Sequence, residues 1–134
     1  DAQESRGLGD VYKRQCLALA AECEVRTFCH VTGGGLVGNM ERIIPEGLSA
    51  QMNRSTWTPG PIFRLIQSVG QVPVEEMEKT FNMGVGMVAV VAPEDRDRAL
   101  AILAARHVDA WVLGEVKAAD NAARAELAGS HPQP

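Results

Sequence analysis

The sequence predicts a layered α/β fold with helices packed on a sheet. Three observations carry that expectation. Segments rich in β-branched and aromatic residues alternate with segments of helical spacing. Glycine and proline punctuate the junctions. The run MVAVVA at positions 87–92 is short and continuously apolar, the pattern of a strand buried on both faces. At 134 residues and 46 % hydrophobic content the chain fits one domain able to bury a core.

Taken in order, positions 1–15 (DAQESRGLGDVYKRQ) are polar, have no sustained period and lack an initiator Met. They resemble translated adapter sequence and are expected to be a non-native or disordered leader on a truncated chain. CLALAAEC then places Leu and Ala at helical spacing, as the end of an amphipathic helix. VRTFCHV reads as a strand, stopped by TGGG. LVGNMERII reads as a helix of about two turns, ended by Pro45 and Gly47. LSAQMNR alternates as a strand does, and positions 55–61, with two prolines and a glycine, form a connector. PIFRLIQSVG has Pro61 in its first turn and Gly70 at its stop. VEEMEKTF is a short helix with Val74, Met77 and Phe81 on one face.

NMGVG is a turn leading into MVAVVA. PEDRDRALAILAAR opens with Pro93 and acidic residues, which suit a helix N-terminus, and carries an apolar stripe of Ala99, Leu100, Ile102 and Leu103. DAWVLGEVK reads as a strand, and RAELAG as an edge strand before a polar tail. The domain is expected over 16–128, with 129–134 as tail. Strand order does not follow from these patterns.

Composition excludes several classes. A net charge of −4 without a Lys/Arg cluster argues against nucleic-acid binding, which needs a basic patch. No apolar run reaches the ~18 residues of a membrane helix, and no signal peptide is visible, so no membrane partner is expected and the cytoplasm is the default. Cys16, Cys23 and Cys29 are odd in number and spaced seven and six apart, which is neither a disulfide framework nor a metal or redox motif. Reduced thiols are expected. No Cys/His/carboxylate group has zinc spacing and no Ser/His/Asp set is evident, so no metal ligand is assigned.

The stretch most able to carry chemistry runs from Cys29 through His30, Thr32, Gly33, Gly34 and Gly35. Three glycines between a strand and a helix let successive N–H groups curl around an anion at the helix N-terminus. Thr32 adds a hydroxyl and His30 a titratable ring. The competing reading is a tight turn with a structural histidine; the loop is not a P-loop, since Gly-Lys-Ser/Thr is absent. A second stretch, TFNMGVGM, sets Gly84 and Gly86 two apart before a strand, and Asn82 either bonds a ligand or holds its own turn. Asn39 and Arg42 lie on the helix after the first loop, and Arg42 is either a partner for carboxylate or phosphate or a solvated surface residue. Glu75, Glu76, Glu78 and Lys79 read mostly as a wet helix face, Trp57 and Trp111 as packing residues, and His107 and His131 as non-ligands.

The string HVTGGGLVGNMERIIP at 30–45 resembles a signature of the phosphoribosylformylglycinamidine cyclo-ligase (AIR synthetase) family. MEKTFNMGVGM at 77–87 resembles that family's second C-terminal signature. Trp57 and WVLGEV at 111–116 also fit, and the resemblance spans about 16–117. Related families such as thiamine-monophosphate kinase and selenophosphate synthetase read differently at the glycine loop.

The resemblance implies a C-terminal domain with a mixed sheet flanked by helices, incomplete at its start. It implies ATP- and Mg²⁺-dependent ring closure of a small substrate, formylglycinamidine ribonucleotide, to aminoimidazole ribonucleotide in purine biosynthesis. It further implies nucleotide and metal binding mainly by an N-terminal domain not present in this sequence, and a homodimer for the full-length enzyme. Within this chain it implies catalytic contacts from His30 and Thr32. It implies substrate or phosphate contacts from Gly33, Gly34, Gly35, Asn39, Arg42, Asn82, Gly84 and Gly86. Without the other half of the site the fragment is expected to be inactive alone, with an apolar sheet edge or face exposed. The alternative is a non-catalytic anion-binding α/β module of the same superfamily.

Overall fold

The computed structural model describes residues 2–120 and 122–133, with side chains from position 12 onward. The chain divides into two compact units, one formed by 2–28 with 89–111, the other by 29–88 with 112–133.

In the first unit, helix α1 (Ala2–Glu22) takes in the polar stretch 2–15 together with CLALAAE. Strand β1 (Val25–His30) pairs with β3 (Met87–Val91). A single 3-10 turn (Pro93–Asp95) leads into α5 (Arg96–Ala105). Leu19, Cys23 and Ala99 form the buried centre, with Val25, Phe28, Ala89, Val91, Ile102 and Leu103 packed around them. Polar bonds tie the elements together. The Glu24 amide donates to Asp95 Oδ2 at 2.7 Å, the Ala92 amide to Glu24 O at 2.9 Å, and Arg98 to Glu22 O at 3.3 Å. Arg106 also bonds Gln15. Helix α5 ends where His107 turns left-handed (φ 60°) and the Val108 amide reaches back to Leu103 O, a stop glycine usually provides.

The run MVAVVA departs from expectation. All five residues of β3 are half-buried rather than buried on both faces. Among the described residues β3 has one strand neighbour, β1, so no second flanking strand helps to bury it, and its cover comes from the packing of Ala89 and Val91 on Leu19, Cys23 and Ala99.

The second unit is built on β2 (Leu48–Asn53), the middle strand of a mixed three-stranded sheet. Strand β4 (Gly114–Ala118) pairs with it antiparallel, from Leu48 opposite Ala118 to Met52 opposite Gly114. Strand β5 (Ala125–Ala128) pairs with it in parallel, from Ala50 opposite Ala125 to Asn53 opposite Ala128, and is an edge strand as its sequence suggested. The predicted strand DAWVLGEVK is strand only from Gly114. A Cβ there would lie 1.9 Å from Gln51 O, so the strand begins where a residue without a side chain lets the two backbones close up.

Three helices complete the unit: α2 (Gly35–Ile43), α3 (Pro61–Gly70) and α4 (Val74–Thr80), with a 3-10 turn (Arg54–Thr56) after β2. Met40, Met77, Ala50 and Met52 are buried, and so is Ser49, whose hydroxyl donates to Ala123 O at 2.6 Å and accepts from Gln51 Nε2 at 2.6 Å. On α4 only part of the expected face is used: Met77 is fully buried, Phe81 half-buried and Val74 exposed.

Candidate functional site

The two glycine-bearing loops are joined at their roots. Val31, just past β1, donates its amide to Gly86 O at 3.0 Å, so Gly86 serves as an anchor. Beyond Val31 the chain turns over 32–35, with the Gly35 amide bonding Thr32 O at 3.2 Å. Gly34 (φ 97°) and Gly35 (φ 78°) both occupy the left-handed region that side chains disfavour. Gly35 has a second constraint. A Cβ at this position would sit 1.8 Å from Glu78 O, so the start of α2 lies directly against the backbone of α4.

Asn39 holds this loop from within. Buried, it donates Nδ2 to Gly35 O at 2.6 Å and lies 3.2 Å from Thr32 O and 3.4 Å from Gly33 O. Thr32 Oγ1 donates to Asn39 Oδ1 at 3.3 Å. The carboxamide is therefore occupied by the loop. Thr32, Gly33 and His30 are exposed. Arg42 is exposed too, yet its Nη2 lies 3.9 Å from where a Gly34 Cβ would be, which sets a guanidinium beside the glycine turn.

The second loop is braced in the same manner. Asn82 Oδ1 accepts the Gly84 amide at 2.8 Å and Asn82 O accepts the Val85 amide at 3.0 Å, so Asn82 holds its own turn. Met83 (φ 55°) and Gly84 (φ 101°) are left-handed. Buried Trp57 donates Nε1 to Met83 O at 3.0 Å. Phe63 and Phe81 meet edge to face at 6.0 Å beneath.

Between the loops lies a cleft of about 400 Å³, reached by Gly34 from the first loop and by Asn82 and Met83 from the second. Its floor is apolar, from Leu36, Val37 and Phe81, and its rim carries Glu41, Glu75, Glu78 and Lys79. Of the residues singled out in sequence, Gly34 and Asn82 line this cleft. His30, Thr32, Gly33 and Arg42 stand on the solvent side of the first loop, and Gly35, Asn39 and Gly86 are structural members of the loops. With Glu78 paired to Arg54, Glu41 and Glu75 against Lys79 still disfavour an anion on the rim. The glycine turn beside Arg42 is the part suited to one.

Several residues that matter here left no local trace in the sequence. Arg54 grips Glu78 with two bonds of 2.8 Å, from Nε and Nη2, and donates Nη1 to Gly129 O at 3.1 Å. The bond to Glu78 pushes the Arg54 guanidinium pKa up. Glu78 is thus not part of the wet face that exposed Glu75, Glu76 and Lys79 form. The partners stand 24 positions apart, and spacing does not reveal such a pair. His131 Nδ1 lies 2.9 Å from Arg54 O and 3.0 Å from Trp57 O, with its ring edge to face on Trp57 at 4.6 Å.

The three cysteines are free thiols, and burial raises the pKa of each; beside Cys23, the Asp95 carboxylate adds to the rise. No group of three or more His, Cys, Asp or Glu side chains placed for a metal occurs among the described residues. No helix among them is long and apolar enough to cross a membrane.

A strand–glycine-turn–helix loop is thus rooted on a second glycine loop, and both reach one cleft. The family model described as "AIR synthase related protein, C-terminal domain" matches residues 8–125, and the chain belongs to that family. Among its relatives the recurring name is phosphoribosylformylglycinamidine cyclo-ligase. One from Anaeromyxobacter dehalogenans is 45 % identical over 125 residues, covering 88 % of this chain and 36 % of that protein. One from Brevibacillus brevis is 38 % identical over 110 residues, covering 82 % and 32 %. A Streptomyces fradiae protein, provisionally given the same name, is 58 % identical over 106 residues, covering 79 % and 58 %. The chain thus spans about a third to somewhat over half of the length of these relatives.

Proposed function

We propose that this chain is the C-terminal part of an ATP-dependent ligase that closes the imidazole ring of formylglycinamidine ribonucleotide, giving aminoimidazole ribonucleotide in purine biosynthesis. The observation that carries the reading is the meeting of the two loops, rooted together at Val31 and Gly86, on one cleft. The domain proper is 16–128, with 129–134 a tail. The full-length protein is a cytoplasmic homodimer, without nucleic-acid or membrane partners.

The glycine turn over 33–35 with Arg42 takes a phosphate, its amides and the guanidinium supplying the positive field. His30 and Thr32, exposed at the mouth of that turn, contact the reacting atoms. His30 moves a proton or steadies the developing charge, and Thr32 offers its hydroxyl, whose proton turns from Asn39 Oδ1 to the ligand when one is bound. Asn39 acts on the ligand indirectly, by holding the turn in shape. Asn82 lines the opposite wall, and Gly84 and Gly86 act on the ligand by shaping the loop that carries it.

ATP would supply the phosphoryl group that activates the formyl oxygen, with Mg²⁺ balancing its charge. The residues in hand do not fit a resident Mg²⁺, since the described carboxylates nowhere gather as a ligand set. In this reading nucleotide and metal are held mainly by the N-terminal part of the full-length protein.

The test compares the full-length protein with the 134-residue chain in an ATP-dependent assay for aminoimidazole ribonucleotide. The full-length protein is expected to turn over and the chain alone to be silent. His30→Ala in the full-length protein should lower kcat by about 10²- to 10⁴-fold. Turnover by the chain alone, or full activity in His30→Ala, overturns the assignment. Phosphate binding by a full-length protein without turnover would favour a non-catalytic anion-binding module.

A further inference from the structure

We infer that His131 is a positioning residue for the cleft loop 82–86, acting through Trp57. Both groups facing His131 Nδ1 are carbonyl oxygens, of Arg54 at 2.9 Å and Trp57 at 3.0 Å, so Nδ1 carries the proton and shares it between them. Trp57 in turn donates its indole N–H to Met83 O at 3.0 Å. The tail is fastened a second time, two residues earlier, by Arg54 Nη1 on Gly129 O, while the same guanidinium holds Glu78 at the end of α4. The segment 129–131 thus straps down the turn 54–57, and that turn carries the indole that props the loop.

Packing alone does not explain the histidine. Its Nε2 is buried with no partner, a penalty that an apolar ring of similar shape would avoid. What the imidazole adds over such a ring is the Nδ1 donor. It bonds two carbonyls at the end of a 3-10 turn, adding to the long 3.5 Å bond that Arg54 O accepts from the Trp57 amide and joining Trp57 O to the tail. Met83 sits at φ 55°, a conformation that persists only where its surroundings enforce it, and the Trp57 bond is one such restraint. The loop's place in a ligand cleft rests on the function proposed above, whereas the coupling from tail to loop does not.

Amide exchange on the full 134-residue chain tests this without recourse to activity. Readouts are the Gly84 and Val85 amides and the Trp57 indole N–H, with the Ala50 amide of the central strand as reference. His131→Ala should speed exchange at the three reporters by roughly five- to tenfold, as expected for one lost hydrogen bond, and leave Ala50 unchanged. His131→Asn, whose carboxamide can donate from the Nδ1 position, should restore most of the protection, while His131→Gln, which reaches toward Nε2, should not. Trp57→Phe should speed exchange at Gly84 and Val85 by itself. Unchanged loop exchange in His131→Ala, an equal rise at Ala50, or equal rescue by Gln and Asn would each overturn the inference. If His131→Ala does not fold, the Asn and Gln pair decides it in the same way.

Discussion

Replacing Gly35 by alanine tests the close contact between α2 and α4. The added Cβ would stand 1.8 Å from Glu78 O, 2.9 Å from Glu78 C and 3.3 Å from Lys79 Cα, and all three are backbone atoms that no rotamer change can move aside. The residue must also stay at φ 78° or drag the loop with it. The left-handed conformation costs a non-glycine residue about 1–2 kcal/mol, and overpacking adds about 1–3 kcal/mol. A destabilisation of about 2–5 kcal/mol follows, a large part of the 5–15 kcal/mol typical of a domain, as a rough scale. Urea unfolding followed by Trp57 fluorescence in a Trp111→Phe background reads the second unit by itself. At a slope of about 2 kcal/mol per M the midpoint should fall by roughly 1–2.5 M. Gly33→Ala is the control, because nothing lies within 4 Å of its Cβ and its φ is not left-handed. It should stay within about 0.5 kcal/mol of the parent. If Gly35→Ala unfolds at the midpoint of Gly33→Ala, the account of the glycine loop as a packing joint is wrong.

Asn39→Ala should destabilise by about 1–3 kcal/mol by leaving loop carbonyls without their donor. Asn39→Asp should do worse at neutral than at acidic pH, since a carboxylate has no proton for those carbonyls; denaturation at the two pH values checks both. Arg54→Lys loses the two-pronged grip on Glu78 and should cost about 1–2 kcal/mol, measured by urea unfolding, with faster exchange near Gly129. Burial raises the thiol pKa of Cys23 and Cys29 above their unfolded values. Their contribution is therefore complete below the ordinary thiol value of about 8.5 and is lost as pH rises from there through the raised folded-state value. Stability should decline across that range, and Cys29→Ala should flatten the decline. At neutral pH a thiol reagent should modify half-buried Cys16 before buried Cys23 and Cys29.

Local chemistry was the legible part of this sequence. Pro61 and Gly70 bracket α3 as they should, Pro45 and Gly47 follow α2, and RAELAG is an edge strand because its polar alternation suits one. The two glycine loops were found from spacing alone, since turns advertise themselves through residues that tolerate positive φ. What stayed hidden depends on partners far along the chain. MVAVVA carries the pattern of a doubly covered strand, yet burial is decided by how many neighbours the fold supplies. Asn39 and Arg42 both lie on α2. One is sealed under the loop and the other is exposed, a difference set by which face of the helix meets α4 and β5. The Arg54–Glu78 grip and the His131 strap join positions 24 to 77 residues apart, beyond any periodicity.

The pairing order of the three-stranded sheet has a consequence for synthesis. Strand β2 emerges from the ribosome well before its partners: the antiparallel one lies more than sixty residues further on and the parallel one begins at Ala125. Until then both rows of its backbone donors and acceptors wait unpaired, along a segment with buried Ala50 and Met52 on one face. At about 5–20 residues per second the interval lasts several seconds. During those seconds a nascent chain carries an open strand that neighbouring chains on the same message can pair with, so a ribosome pausing between β2 and β5 would raise aggregation without any change in the sequence of the finished protein.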